Sequence, residues 1–177
     1  STIHDLANQL QHRPVSQAAR RDLAKQQAVV VGGTRGIGRA IALAFAAAGA
    51  DVIVHGRTRA EAVAAECRAA GVAPHALTAD LADDVQASRL VQEAWELFPG
   101  TSIWDTLTGE AAGWPFERKL QELWQVDVRA AMLMTRETGA RMRRLGRGNI
   151  VTIGWDQAET GMEGPSGQLF AAVKAAG

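Results

Sequence analysis

The sequence predicts a doubly wound α/β domain, and two observations carry that expectation. From Ala28 onward, short β-branched runs alternate with Ala-rich helical stretches, and a glycine-rich turn stands at the first strand-to-helix junction. Strand and helix in strict alternation require right-handed crossovers, which build a parallel sheet covered on both faces. The predicted strands are Ala28–Val31, Asp51–Val54, Pro74–Ala79, Ile103–Thr108 and Asn149–Ile153. Between them, helices are predicted over Ile37–Ala48, Arg59–Ala70, Asp83–Phe98 and Phe116–Leu145. Ahead of the alternation, Thr2 to Gln27 read as two short helical segments split at Pro14, with Ser16 and Asp22 near helix starts. Their apolar positions are Leu6, Leu10, Val15, Ala19 and Leu23. The expected organisation is therefore a helical extension over residues 1–27 and one domain over residues 28–177.

Composition narrows the function classes. At 177 residues the chain is long enough for one sizeable core and too short for two ordinary ones. Hydrophobic residues make up 47% and charged residues 21%, which excludes a disordered, collagen-like or membrane-bundle chain. Lys+Arg and Asp+Glu number 19 each, so no global field draws the protein to nucleic acid or anionic lipid. Arg141, Arg143, Arg144 and Arg147 close a long helix before Gly146 and Gly148, where cations complement the helix dipole, and are read as a cap. Cys67 alone excludes an internal disulfide and any CxxC motif. His4, His12, His55 and His75 are scattered without partners at helical spacing, so no metal is expected. The first 27 residues are too polar for a signal peptide, and the longest apolar stretch, Ala40 to Ala50, falls short of a membrane span. A cytoplasmic protein that binds neither nucleic acid nor membrane is expected.

The segment Val29-Val30-Val31-Gly32-Gly33-Thr34-Arg35-Gly36-Ile37-Gly38-Arg39 lies between the first strand and a strongly helical run. Gly32 turns the chain off the strand, Gly36 lets backbone N–H groups approach a pyrophosphate, and Gly38 permits close packing of helix on sheet. The segment is read as a dinucleotide-binding loop. Its GxxxGxG spacing resembles the short-chain dehydrogenase/reductase family, and further features fall in the family's order. Asp80-Leu81 resembles the Asp-hydrophobic pair that holds adenine, and Asp105-Thr106-Leu107 the DxL of the fourth strand. Gly148-Asn149-Ile150-Val151-Thr152-Ile153 resembles the strand leading to the active-site serine, and Phe170-Ala171-Ala172-Val173-Lys174 has the frame of YxxxK.

The resemblance implies a Rossmann-like fold, a small-molecule substrate, a homo-oligomer and a cofactor site. That site would be formed by Gly32, Thr34, Arg35, Gly36, Ile37, Gly38, Arg57, Asp80, Leu81, Ala112, Gly113 and Lys174. Charge at the second turn bears on cofactor choice. Val54-His55-Gly56-Arg57-Thr58 offers no acid for the ribose hydroxyls, while Arg35 and Arg57 could both reach a 2′-phosphate, so NADP is expected over NAD.

The catalytic constellation departs from the family. Lys174 is kept, but Phe170 stands at the tyrosine position, Trp155 at the serine position and Asp127 at the asparagine position. The sequence holds five Trp and four Phe but no Tyr, so any mechanism that needs a phenol is excluded. The NNAG segment has become Gly109-Glu110-Ala111-Ala112-Gly113, and Gly161–Gly167 reads as a small insertion that brings Thr160 and Ser166 within possible reach of the site. The chain ends at Gly177, shortly after Lys174, where family members continue, so a truncated C-terminus is expected. Three functions fit these residues. One is an NADP-dependent carbonyl or alcohol oxidoreductase with Lys174 and another acid, drawn from Asp127, Glu110 and Asp156. The second is a catalytically inactive NADP-binding sensor or partner subunit. The third is a structural chain that assembles with an active homologue through Phe116–Leu145.

Overall fold

The computed structural model describes residues 22–106 and 115–154. Five strands, β1 (Gln27–Val31), β2 (Asp51–His55), β3 (His75–Leu77), β4 (Ile103–Thr106) and β5 (Asn149–Thr152), alternate with helices. The helices are α1 (Gly36–Ala47), α2 (Ala60–Arg68), α3 (Asp84–Leu97), α4 (Phe116–Leu123) and α5 (Ala131–Leu145), with a π-helical segment over Trp124–Ala130 between the last two. All neighbouring strands pair in parallel, in the order β3-β2-β1-β4-β5. The order reverses at β1, and the crevice at the carboxyl ends of β1 and its neighbours is where ligands of such sheets bind.

Apolar runs without alternation are what a strand buried on both faces requires. In β1, Val29 and Val31 face a core built with α3, the π segment and α5, through Leu90, Val91, Ala94, Ala130, Met134 and Met142. Ala28 and Val30 face the other side, against Ala42 and Ala46 of α1 and Val63, Ala64 and Cys67 of α2. All four of these β1 residues are fully buried. Val29 stands in register with Ile53 of β2 and with Trp104 of β4, so β1 is paired on both edges as well.

The elements follow the predicted sequence order with three differences. First, the helical extension expected up to Gln27 does not reach that far. Residues 22–25 form a turn and Gln27 opens β1, while the Leu23 N–H donates to the Ala48 carbonyl at 3.1 Å and its side chain packs on the α1/α2 core. The first 21 positions lie outside the described residues. Second, β3 is confined to His75–Leu77, shorter than Pro74–Ala79, because only Ile53 to His55 of β2 pair with it. Third, the single helix expected over Phe116–Leu145 carries the π segment within it. The backbone stays right-handed helical through Leu123, Trp124, Ala130 and Ala131. Trp124-Gln125-Val126-Asp127-Val128-Arg129-Ala130 holds no Gly or Pro, so composition gives no sign of the wider turn.

Helix ends follow local chemistry. Asp83 caps α3 by accepting the N–H groups of Val85 at 2.8 Å and Gln86 at 3.2 Å. At the end of α5, Gly146 adopts φ 69°, Gly146 N–H donates to Arg143 O and Arg147 N–H to Met142 O, a Schellman closure with Arg143 and Arg144 in the last turn. Arg141 pairs with Glu137 at 2.8 Å and stands over the Trp95 ring. The arginine cluster therefore closes the helix, as its position predicts. Among the described residues, no helix is long and apolar enough to cross a membrane.

Two glycines give opposite expectations. A Cβ on Gly38 would lie 2.3 Å from the Gly32 carbonyl oxygen, and neither backbone can yield. Gly38→Ala is expected to lower stability by about 2 kcal/mol or more. On Gly139, inside α5, a Cβ would meet only Ile150 Cδ1 at 3.7 Å. Gly139→Ala is expected to raise stability by about 0.5–1 kcal/mol through helix propensity and a smaller unfolded ensemble. Urea unfolding of both variants checks the pair.

Candidate functional site

The site begins where the burial of β1 ends. Gly32 leaves the strand at φ 77°, in the left-handed region that favours glycine. Gly33 is buried, and a side chain there would press on Val30 O and Val54 Cγ1, each 3.1 Å from the added carbon. Arg35 is extended and leads into α1, offering no side-chain acceptor to the first amides, and the first turn holds no carboxylate. Gly36 has φ 52°, and a Cβ on it would find nothing within 4 Å among the described residues. The start of α1 thus presents backbone donors and the positive end of the helix dipole with no described residue against Gly36, a cradle that fits a pyrophosphate. Ile37 beside it is exposed, and Gly38 seats the helix on the loop.

β2 supplies the next wall. Gly33 N–H donates to the His55 carbonyl at 2.8 Å, and Gly32 N–H donates to His55 Nδ1 at 3.4 Å. His55 Nε2 lies 3.2 Å from the Ala79 carbonyl oxygen. That oxygen only accepts, so Nε2 carries the proton and Nδ1 is the bare acceptor. Burial pushes the His55 pKa down to about 4, against the opposing pull of the Ala79 bond. A Cβ on Gly56 would fall 2.4 Å from Thr34 Cγ2, so Thr34 folds back onto the end of β2.

Arg57 follows, more than half exposed, with Nη1 3.8 Å from Glu122 Oε1 of α4. Beyond β3, the half-buried Asp80 donates its N–H to Gln86 Oε1 at 3.0 Å and accepts the Ala82 N–H at 3.1 Å on Oδ1. The Leu81 side chain is buried in the core on the α3 side of the sheet. Gly32, Gly36, Arg57 and Asp80 thus stand just beyond the carboxyl ends of three adjacent strands.

Asp127 is buried on the π segment. The segment is fastened to the start of α3, where Gln125 Nε2 donates to Asp84 Oδ1 at 2.9 Å and Arg129 Nε to the same oxygen at 3.0 Å. The Arg129 guanidinium holds the Asp84 carboxyl below its ordinary value. Ala112, Gly113, Lys174, Phe170, Trp155, Glu110, Asp156, Thr160 and Ser166 lie outside the described residues. Two residues were not singled out by sequence reasoning. His55 was one of four scattered histidines, yet it directly follows the apolar run Val52-Ile53-Val54, and that was the available signal. Glu122 meets Arg57 only through tertiary packing and carried none.

This geometry defines a doubly wound α/β domain with a glycine-rich loop at the point where the strand order reverses. Residues 26–177 match the short chain dehydrogenase family, and the chain belongs to it. It is 31% identical over 161 residues to a 3-oxoacyl-[acyl-carrier-protein] reductase of Synechocystis sp., covering 86% of this chain and 64% of that protein. A metagenomic short-chain oxidoreductase crystallised in complex with NADP is 25% identical with a TM-score of 0.78, covering 88% of this chain and 72% of that one. A 3-oxoacyl (acyl-carrier-protein) reductase from Agrobacterium tumefaciens C58 with NADP bound is 26% identical with a TM-score of 0.76, covering 94% and 64%. The chain spans less than two thirds of the length of the curated relatives it matches. The family binds NAD(P) and comprises oxidoreductases.

The buried histidine sets an acid sensitivity. Its pKa is about 4 in the folded chain against 6.5 for a free imidazole, so between these values only the unfolded chain takes up the proton. Stability is therefore expected to fall as pH drops from about 6.5 toward 4, by about 3 kcal/mol at most from this group. Urea midpoints at pH 7 and pH 4.5 check this, and His55→Asn should flatten the difference.

Proposed function

We propose that this chain is an NADP(H)-binding domain of an oxidoreductase that interconverts a carbonyl and an alcohol in a small-molecule substrate. The observation that carries the proposal is the open, uncapped start of α1 beside side-chain-free Gly36, flanked by Arg35 and Arg57 with no acid at the β2 turn. The pyrophosphate would lie against the first turn of α1, from Gly36 through Ile37 to Gly38, with Thr34 supporting the loop. Asp80 and Leu81 would border the adenine, and Arg35 and Arg57 would take the 2′-phosphate. The Arg57–Glu122 contact is long and solvent-exposed, so a phosphate that accepts charge-assisted hydrogen bonds can displace it. Ala112, Gly113 and Lys174 would hold the nicotinamide end. A homo-oligomer in the cytoplasm is the assembly and location proposed.

NADPH is expected to bind more tightly than NADH, Arg57→Asp to reverse that order, and Gly36→Val, strained at a positive φ, to abolish binding of both at some cost in stability. Fluorescence titration of the purified chain checks all three. Equal affinities before and after Arg57→Asp would overturn the cofactor assignment.

The bound dinucleotide supplies the hydride for reduction, and the protein must supply a proton to the carbonyl oxygen. With Phe170 at the tyrosine position, that proton would come through water from a carboxyl group, with Asp127 proposed first and Glu110 and Asp156 as alternatives. Lys174 would bind the ribose and hold the water chain. A second function, dinucleotide binding without hydride transfer as a sensor or partner subunit, is favoured by the complete lack of Tyr and by Trp155 at the serine position.

Phe170→Tyr alone is expected to give little ketone reduction, because in the proposed alignment the restored phenol would meet Trp155 where the family has a serine. Phe170→Tyr with Trp155→Ser should oxidise more NADPH on a panel of ketones and aldehydes than either single change. Adding Asp127→Asn should raise it further, since in the proposed arrangement a carboxylate at this position would pair with Lys174 and divert its charge from the phenol. Ordinary turnover by the unaltered chain would overturn the catalysis-free function and direct the search to the three carboxyl groups.

A further inference from the structure

β2 reads Asp51-Val52-Ile53-Val54-His55, and its last residue is as deeply buried as the apolar residues before it, at 2% exposure. An aliphatic side chain would satisfy that position more simply, because a buried imidazole costs stability unless both nitrogens are engaged. Both are engaged here. Nδ1 receives the Gly32 N–H at 3.4 Å, Nε2 donates to Ala79 O at 3.2 Å, and the His55 carbonyl takes the Gly33 N–H at 2.8 Å. One residue therefore receives two successive amides of the glycine-rich loop. It also ties them to the carbonyl immediately before Asp80.

We propose that His55 is a positioning residue for the dinucleotide, its ring nitrogen Nδ1 holding the Gly32 amide and so fixing the pivot of the glycine-rich loop. The proposal rests on the assignment of that loop as the pyrophosphate site. Its physical content is directional. The Gly32 and Gly33 N–H groups point into the protein, so donors to a phosphate come from farther along, at the start of α1. Sheet pairing and the Gly33–His55 backbone bond hold the base of the loop, and the imidazole adds a side-chain acceptor at its first glycine. Loss of the Gly32 bond frees an amide at the pivot of the loop and lets the Gly36 cradle shift against the adenine side.

Side-chain geometry separates this role from plain core packing. The amide oxygen of Asn stands where Nδ1 stands, and the amide nitrogen of Gln reaches the position of Nε2. His55→Asn therefore keeps the acceptor for Gly32 and gives up Ala79, His55→Gln does the converse, and His55→Leu removes both. The test is titration of NADPH and NADH into the wild type and the three variants at pH 7.5, with folding checked by circular dichroism. Amide hydrogen exchange at Gly32 is followed by NMR in the same samples.

The expected result is affinity within about threefold of wild type for Asn, which keeps the Gly32 acceptor, and at least about tenfold weaker for Gln and Leu, which leave the Gly32 amide at the loop pivot without it. Gly32 exchange should be slow in the wild type and Asn variant and accelerated in Gln. Wild-type affinity in a folded Gln variant, or affinities that track unfolding midpoints instead of the Gly32 bond, would overturn the positioning role and leave the pyrophosphate assignment standing. A wild-type chain that binds neither dinucleotide would overturn both, whatever the exchange rates.

Discussion

The burial of β1 on both faces and its pairing on both edges is the constraint from which the rest of the structure hangs. Ala28, Val29, Val30 and Val31 are shut away from solvent and hydrogen-bonded to β2 on one side and β4 on the other. A strand so held has no freedom to slide, because a one-residue slip would exchange the two faces of the core. The glycine-rich loop starts from its last residue, and that fixed origin lets a few loop glycines define a site. The loop inherits its position from the sheet and its shape from backbone dihedrals that only glycine adopts readily.

Around that origin the polar contacts divide into two kinds. Those at the rim, such as Arg39 with Glu66, Arg89 with Glu93 and Arg57 with Glu122, join exposed side chains and contribute little each. Those beneath the loop are buried or partly buried, and they involve His55 and backbone groups of Gly32, Gly33 and Ala79. In that setting a missing partner costs more than a present one contributes. The π segment occupies an intermediate position. Its surface side chains Gln125 and Arg129 hold Asp84, while its inner side carries Asp127 into a buried place. Wider helical turns of this kind occur often at functional sites, where the extra residue redirects a side chain that a regular helix would leave elsewhere.

Much of this was legible in the sequence, for reasons that differ from element to element. The strands around Val29 and Ile53 announced themselves because parallel strands covered on both faces need uninterrupted apolar runs. Gly32, Gly36 and Gly38 were legible because each answers a local requirement: a positive φ, an open cradle and a carbonyl at 2.3 Å. The end of α5 was legible because cations and glycine stand where a helix terminates. Tertiary facts were not. Nothing in Trp124–Ala130 distinguishes π from α hydrogen bonding, since both accept the same residues and packing selects between them. His55 looked like any histidine until Gly32 and Ala79 were brought to either side of its ring, and Arg57 showed no counter-ion until α4 crossed toward β2.

The order β3-β2-β1-β4-β5 has a kinetic side. β1, β2 and β3 are consecutive in the chain and adjacent in space, joined by crossovers through α1 and α2, so this half of the sheet closes its loops early. β4 joins the opposite edge of β1 only after a far longer stretch of chain, and β5 joins β4 later still. As contacts of long sequence separation slow folding, the edge of β1 that will receive β4 waits unpaired in the growing polypeptide. It is an apolar, β-branched edge, and while unpaired it is open to pairing with other chains.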